Sequence, residues 1–203
     1  MKPLCVTDWE RIFNRKETGG MNTAYKIVLF LSMSIALVYS QDFRAEQPVL
    51  VTSAGQSSDV LMGKILASKA KLEFLFNKQA QTAQLDSVKS VIIVSGGSVK
   101  GMGAAGIDKD QEYARVKSII TAAQKKKLPV IGMHLGGKSR RGSMSDEFNR
   151  LVAENSAYLI VVREGDDDGF FTSIAKEKNI TCEHAENIVS VQQVLEKIYG
   201  SDE

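Results

Sequence analysis

The feature that most constrains this chain is a repeated alternation. Short, nearly unbroken apolar runs, most of them ended by glycine, serine or another small polar residue, take turns with stretches of helical period. An unbroken apolar run is what a strand buried on both faces requires, because neither side of its pleat meets water. Such runs occupy residues 48–53, 72–76, 90–95, 129–134 and 158–162, with a weaker sixth at 179–182. Helical periodicity falls at 58–70, 110–126, 146–155, 170–178 and 188–198, with a short, weak helix near 79–85. The first helix is expected to face inward with Val60, Leu61, Ile65 and Leu66, the second with Tyr113, Val116, Ile119, Ile120 and Ala123. The pattern predicts an α/β fold: a single three-layer αβα domain over residues 48–200, with a mostly parallel sheet and right-handed crossovers. Flavodoxin-like and Rossmann-like strand orders both satisfy it.

Residues 27–40 form a fourteen-residue, mostly apolar run preceded by Lys26. A spanning helix needs about 20 residues, whereas a secretory h-region needs about 7–15. Val38 and Ser40 stand where a cleavage site takes small or modest residues. Residues 21–40 therefore read as a signal peptide, the alternatives being an uncleaved anchor or a buried strand. Residues 1–20 read as sequence upstream of a start at Met21, because Lys16-Glu17 can be encoded by a ribosome-binding sequence. Residues 41–47 read as a short linker. The expected product is exported, periplasmic or extracellular, without stable membrane insertion after cleavage.

Five of the 26 Lys+Arg and three of the 24 Asp+Glu precede residue 41, so the remainder carries 21 of each and no net charge. That removes the general case for a nucleic-acid partner, which needs a basic surface. Cys182 is the one cysteine after residue 40, so there is neither an internal disulfide nor a multi-cysteine zinc site. No metal and no cofactor are expected.

Candidate site residues lie just past the strands, where open α/β sheets bind ligands. After the fourth strand, Gly136, Gly137 and Gly142 surround Lys138, Arg140 and Arg141. Glycines let backbone approach a ligand, and arginines grip carboxylate or phosphate with paired hydrogen bonds. After the first strand, Gly55 and Gln56 lead to Ser57, Ser58 and Asp59, residue types that cap helices above free N–H groups. The third strand ends in Gly96 and Gly97, then Gly101, Gly103 and Gly106 match G-x-G-x-x-G. That match lies past the strand and in the wrong βα unit for a dinucleotide fingerprint. It is expected to be a mobile loop over a ligand rather than an NAD site. Asp166, Asp167 and Asp168 suit the start of the following helix better than a cation, since consecutive side chains do not point one way. His134 and Asp59 are the only candidates for acid/base work. His184 is expected at the surface.

Residues 48–59 (PVLVTSAGQSSD), 101–108 (GMGAAGID), 134–145 (HLGGKSRRGSMS) and 158–171 (YLIVVREGDDDGFF) together resemble a bacterial family of exported proteins known as a domain of unknown function, family 6305. The resemblance implies an exported single domain and carries no activity. Residues 55–59 and 128–132 are also similar, at the level of fold, to the carboxyaminoimidazole ribonucleotide mutase, whose histidine loop has no match here. The expectation is an exported α/β domain binding a small anionic ligand through Gly55, Gln56, Ser57, Ser58, Gly96, Gly97, His134, Gly136, Gly137, Lys138, Arg140 and Arg141. The alternatives are a small isomerase, lyase or hydrolase on a carboxylated or phosphorylated metabolite, and a protein–protein accessory module.

Overall fold

The computed structural model describes residues 43–200. The segments expected to be upstream sequence (1–20) and a signal peptide (21–40), and the first two residues of the expected linker, lie outside them. The rest of the linker is docked on the domain. The Phe43 ring stacks on Tyr158 with centroids 4.9 Å apart, and the Ala45 N–H donates to the Ile198 carbonyl at 2.8 Å.

The strands are β1 (Val49–Ala54), β2 (Phe74–Phe76), β3 (Ser90–Ser95), β4 (Val130–His134), β5 (Tyr158–Val162) and β6 (Thr181–Ala185). The helices are α1 (Asp59–Lys69), α2 (Val99–Ala104), α3 (Lys109–Lys125), α4 (Ser143–Ala153), α5 (Phe170–Lys178) and α6 (Ser190–Tyr199). All six strands pair in parallel, in the order β2-β1-β3-β4-β5-β6. This is the flavodoxin-like order with one strand added at the far edge, and it decides between the two orders the sequence allowed.

Strand alternation divides the core between two faces. Val49, Val51, Ile92, Val94, Ile131, Met133 and Ile160 pack with Val60, Leu66 and Ala67 of α1 and Val191, Leu195 and Ile198 of α6. Leu50, Val91, Ile93 and Val130 pack on the other face with Val116, Ile119 and Ile120 of α3 and Phe148 and Val152 of α4. Leu159 and Val161 continue that face under Phe171, Ile174 and Ala175 of α5. Each large side chain buried this way contributes about 1.5–3 kcal/mol relative to its exposed state.

Four local expectations change. In α1, Val60, Gly63, Leu66 and Ala67 face inward, while Leu61 and Ile65 are 52% and 47% exposed. Gly63 is the cause: a Cβ there would stand 2.7 Å from Val94 Cγ2, so the helix packs by its smallest side, close to β3. The glycine motif at 101–106 is not a mobile loop. Ser98 Oγ accepts the Gly101 N–H at 3.0 Å and starts α2, so capping outweighs the glycines. The weak helix near 79–85 is a 3₁₀ segment, Thr82–Ser87. The last strand runs to Ala185 and carries His184 inward, half-buried, rather than at the surface.

Candidate functional site

The first strand reverses its neighbours: β2 lies on one side of β1 and β3 on the other. The crevice outside the carboxyl ends of β1 and β3 is therefore the topological switch point, where open α/β sheets place their ligands. The two loops there are locked together. Gln56 and Gly97 form an isolated bridge, and the Ser98 N–H donates to the Gly55 carbonyl at 2.8 Å. Gly55 has φ +90°, and a Cβ on it would meet the Gly96 carbonyl oxygen at 2.6 Å. Only glycine lets these strand ends approach so closely.

Below the loops sits a buried charge pair that the sequence reading did not single out. Glu112 of α3 has no exposure, and its carboxylate accepts the Gly55 N–H at 2.9 Å and Gln56 Nε2 at 3.1 Å. Arg115 donates to both Glu112 oxygens at 2.8 Å and to the carbonyls of Ser53 and Ala80 at 2.5 and 2.9 Å. The pair thus holds the end of β1 from beneath. Its signal was present in the periodicity: Glu112 stands one turn before Val116, on the inward stripe.

The fourth loop divides its three basic residues among different tasks. Arg140 Nε donates to Asp59 Oδ2 at 2.9 Å, bridging the β4 loop to the start of α1. Ser57 Oγ donates to the same oxygen at 3.0 Å. Arg141 is tied to Asp146 at 2.7 Å, to Asp168 at 2.8 and 2.9 Å, and to the Gly165 carbonyl at 2.6 Å. Its guanidinium also lies 4.4 Å from the Phe170 ring centre. Lys138 is exposed and pairs with Asp167 at 2.6 Å. Arg140 and the Ser57–Asp59 turn therefore meet, while Arg141 and Lys138 reach toward the β5 loop.

The aspartates of that loop act at the start of α5. Asp166 accepts the N–H groups of Phe171 and Thr172 at 2.6 and 3.1 Å, and Asp168 accepts that of Phe170 at 3.2 Å. Arg141 holds the Asp168 carboxyl down to about 2. Burial pushes Asp146 upward, but Arg141, Asn149 and the Gly142 N–H together hold it below the usual range.

His134 is 1% exposed, its ring tilted at 40° against Phe171 with centroids 4.8 Å apart, and Nε2 lies 3.1 Å from the Gly137 carbonyl oxygen. Burial pushes its pKa down, so the ring is neutral near pH 7. It lies under the floor made by Gly137 and Gly165, where a Cβ on Gly165 would stand 2.5 Å from the ring.

A cleft of about 440 Å³ opens between residues 97–99 and residues 139–145. Gly97 is at its base, its N–H given to Ser145 Oγ at 3.1 Å. The start of α4 faces it with no side chain capping the helix. Arg140 and Arg141 form its rim. Gly136 lies beneath Arg140, where a Cβ would overlap Arg140 Cγ at 2.0 Å. Of the expected residues, Gly97, Arg140 and Arg141 line this cleft. Gly55, Gln56, Ser57, Ser58 and Gly96 lie behind it, and Gly137, Lys138 and His134 lie toward β5.

No curated protein matches this chain. Among solved structures, an aspartate-to-alanine variant of the esterase AlinE4 is 12% identical, covers 75% of this chain and 80% of its own, and gives a TM-score of 0.29. AlinE4 itself, described as an SGNH-hydrolase family esterase, is 11% identical with a TM-score of 0.28 over 75% of this chain and 80% of its own. Similarity at that level carries no argument about activity. The family comparison is firmer: residues 46–199 match the model of the family described as Domain of unknown function (DUF6305), and the chain belongs to that family.

Proposed function

We propose that this domain is exported and binds a small anion, a carboxylate or phosphate monoester, in the cleft between residues 97–99 and 139–145. The observation that carries the reading is the meeting of Arg140 with the uncapped start of α4 across a polar cleft of about 440 Å³. That volume suits a small molecule. Uncapped helix N–H groups and the positive end of the helix dipole favour an anion. Arg140 spends Nε on Asp59 and lies 3.5 Å from Ser58 Oγ through Nη2; its Nη1 has no partner among the described residues. An arriving oxyanion would compete with Asp59 for one edge of the guanidinium and take N–H groups of α4 with its other oxygens.

Binding is favoured over catalysis by the condition of the two acid/base candidates. His134 is buried, packed against Gly165 and away from the cleft lining, and Asp59 is held by Arg140 and Ser57.

The test is thermal shift and titration calorimetry with inorganic phosphate, phosphate monoesters and small carboxylates, alongside native mass spectrometry for a co-purified anion. A ligand that binds the folded state raises its melting temperature. Arg140→Ala is expected to weaken the bound anion tenfold or more, given the roughly 2–5 kcal/mol lost with a desolvated charge contact. Lys126→Ala, an exposed residue paired with Asp86, is expected to change nothing. Equal affinity in Arg140→Ala and the parent protein overturns the site. Export is tested by N-terminal sequencing from the native host, where a mature chain retaining Trp9 overturns the start at Met21.

A further inference from the structure

The far edge of the sheet carries a second cluster, separate from the anion cleft. Cys182 and His184 are two residues apart on β6, so strand alternation puts both on one face. The register fixes which face: Cys182 pairs with Leu159 and His184 with Val161, and those two residues point toward α5. The β5 loop then brings Asp166 over the same spot. His184 Nε2 lies 2.7 Å from Asp166 Oδ2 and 4.0 Å from Cys182 Sγ, and the three donor atoms all lie within 4.8 Å of one another.

We propose that Asp166, Cys182 and His184 form a binding site for a divalent transition-metal ion, zinc above others. One thiolate, one imidazole and one carboxylate make a mixed set suited to zinc, with three protein ligands leaving a fourth position open. Zinc–ligand bonds of about 2.0–2.3 Å place tetrahedral donor atoms roughly 3.3–3.6 Å apart. The His–Asp pair must open by about 0.6 Å and the thiol must swing inward, both within side-chain reach. Asp166 is already oriented: Thr172 Oγ1 donates to its Oδ2 at 2.5 Å, and the Phe171 N–H donates to its Oδ1 at 2.6 Å. Such outer hydrogen bonds fix a ligating carboxylate.

A cysteine-protease-like relay does not fit the geometry. A relay needs the carboxylate on one imidazole nitrogen and the thiol on the other, but here both approach Nε2. Without metal, burial pushes the Cys182 thiol up to about 12, so it is an inert thiol. Metal binding reverses this. Sγ–H gives its proton to solvent as the metal–sulfur bond forms, and His184 ligates through the Nε2 lone pair. Binding therefore releases the thiol proton.

The experiment is a cobalt(II) titration of the purified protein without an affinity tag. The expected result is saturation at one ion per chain, a near-ultraviolet thiolate-to-cobalt band, displacement by zinc, and proton release on binding. Cys182→Ser is expected to lose the band. Thr172→Val is expected to weaken binding by the roughly 10–100-fold typical of outer partners. Zinc is also expected to raise the melting temperature of the unaltered protein, which covers the case of a substitution that prevents folding. Absence of a saturable thiolate band, an undiminished band in Cys182→Ser, or equal melting temperatures with and without zinc each overturns the site.

Discussion

Arg140 and Asp59 stand 81 residues apart in the chain and meet at 2.9 Å, Nε to Oδ2, closing the β4 loop onto the start of α1. Their side chains are 26% and 19% exposed, so the pair is partly screened by water. It organises the mouth of the cleft more than it stabilises the fold.

A double-mutant cycle on Asp59→Ala and Arg140→Ala is accordingly expected to give a coupling energy of about 1 kcal/mol or less in urea denaturation. A coupling near the roughly 3–5 kcal/mol of broken buried pairs would show that the mouth is closed to water.

Removing Glu112 is expected to cost far more. Its carboxylate is fully buried and accepts from Gly55, Gln56 and Arg115. Glu112→Ala leaves the Arg115 charge uncompensated and should destabilise by about 3–5 kcal/mol. The paired change Glu112→Leu with Arg115→Met should recover much of that loss. Chemical denaturation of the single and double variants checks it.

Two glycines of one short helix should respond in opposite ways. A Cβ on Gly101 would lie 2.0 Å from the Gln56 carbonyl oxygen, whereas one on Gly103 meets nothing within 4 Å. Gly101→Ala should destabilise by more than about 1 kcal/mol as the β1 loop is displaced. Gly103→Ala should stabilise by about 0.4–1 kcal/mol by restricting the unfolded chain. Melting temperatures of the two variants decide it.

Acid should loosen the β4–β5 corner. Arg141 holds Asp168 down to about 2, and Asp146 also lies below the ordinary carboxylate value. The unfolded chain therefore binds more protons than the folded one in this window, so stability rises with pH there. The contribution is complete above about pH 5 and is lost as pH falls toward about 2. Melting curves of the unaltered protein should drop faster over this interval than those of Arg141→Gln.

His134 should not titrate near pH 6.5. Burial depresses its pKa, so protonation favours the unfolded chain and stability declines as pH falls below the ordinary histidine value. Imidazole NMR shifts should put its midpoint below the ordinary histidine value. A midpoint at or above 6.5 would place the ring in contact with water.

The chain alone determined that this is an α/β domain, and the reason is local. A run such as 90–95 is apolar at every position because both faces of its strand are covered, and that requirement is written into consecutive residues. The helix over Phe170–Lys178 was legible with both its ends, and in the structure Gly169 and Asn179 bracket it in left-handed conformations. That candidate residues lie past the strands was legible too, from glycines and cations crowded into short loops. Tertiary structure decided the rest, because partner choice depends on which loops the crossovers bring together. Arg140 and Arg141 are neighbours with the same chemistry, yet one turns to Asp59 and the other to Asp146 and Asp168. Glu112 stands on the inward stripe of its helix, but only the fold shows that its carboxylate meets the β1 loop and Arg115. Leu61 and Ile65 looked buried until Gly63 let the helix pack by its smallest face. Asp166, Cys182 and His184 belong to two segments whose meeting rests on the β5–β6 register, which no local spacing encodes.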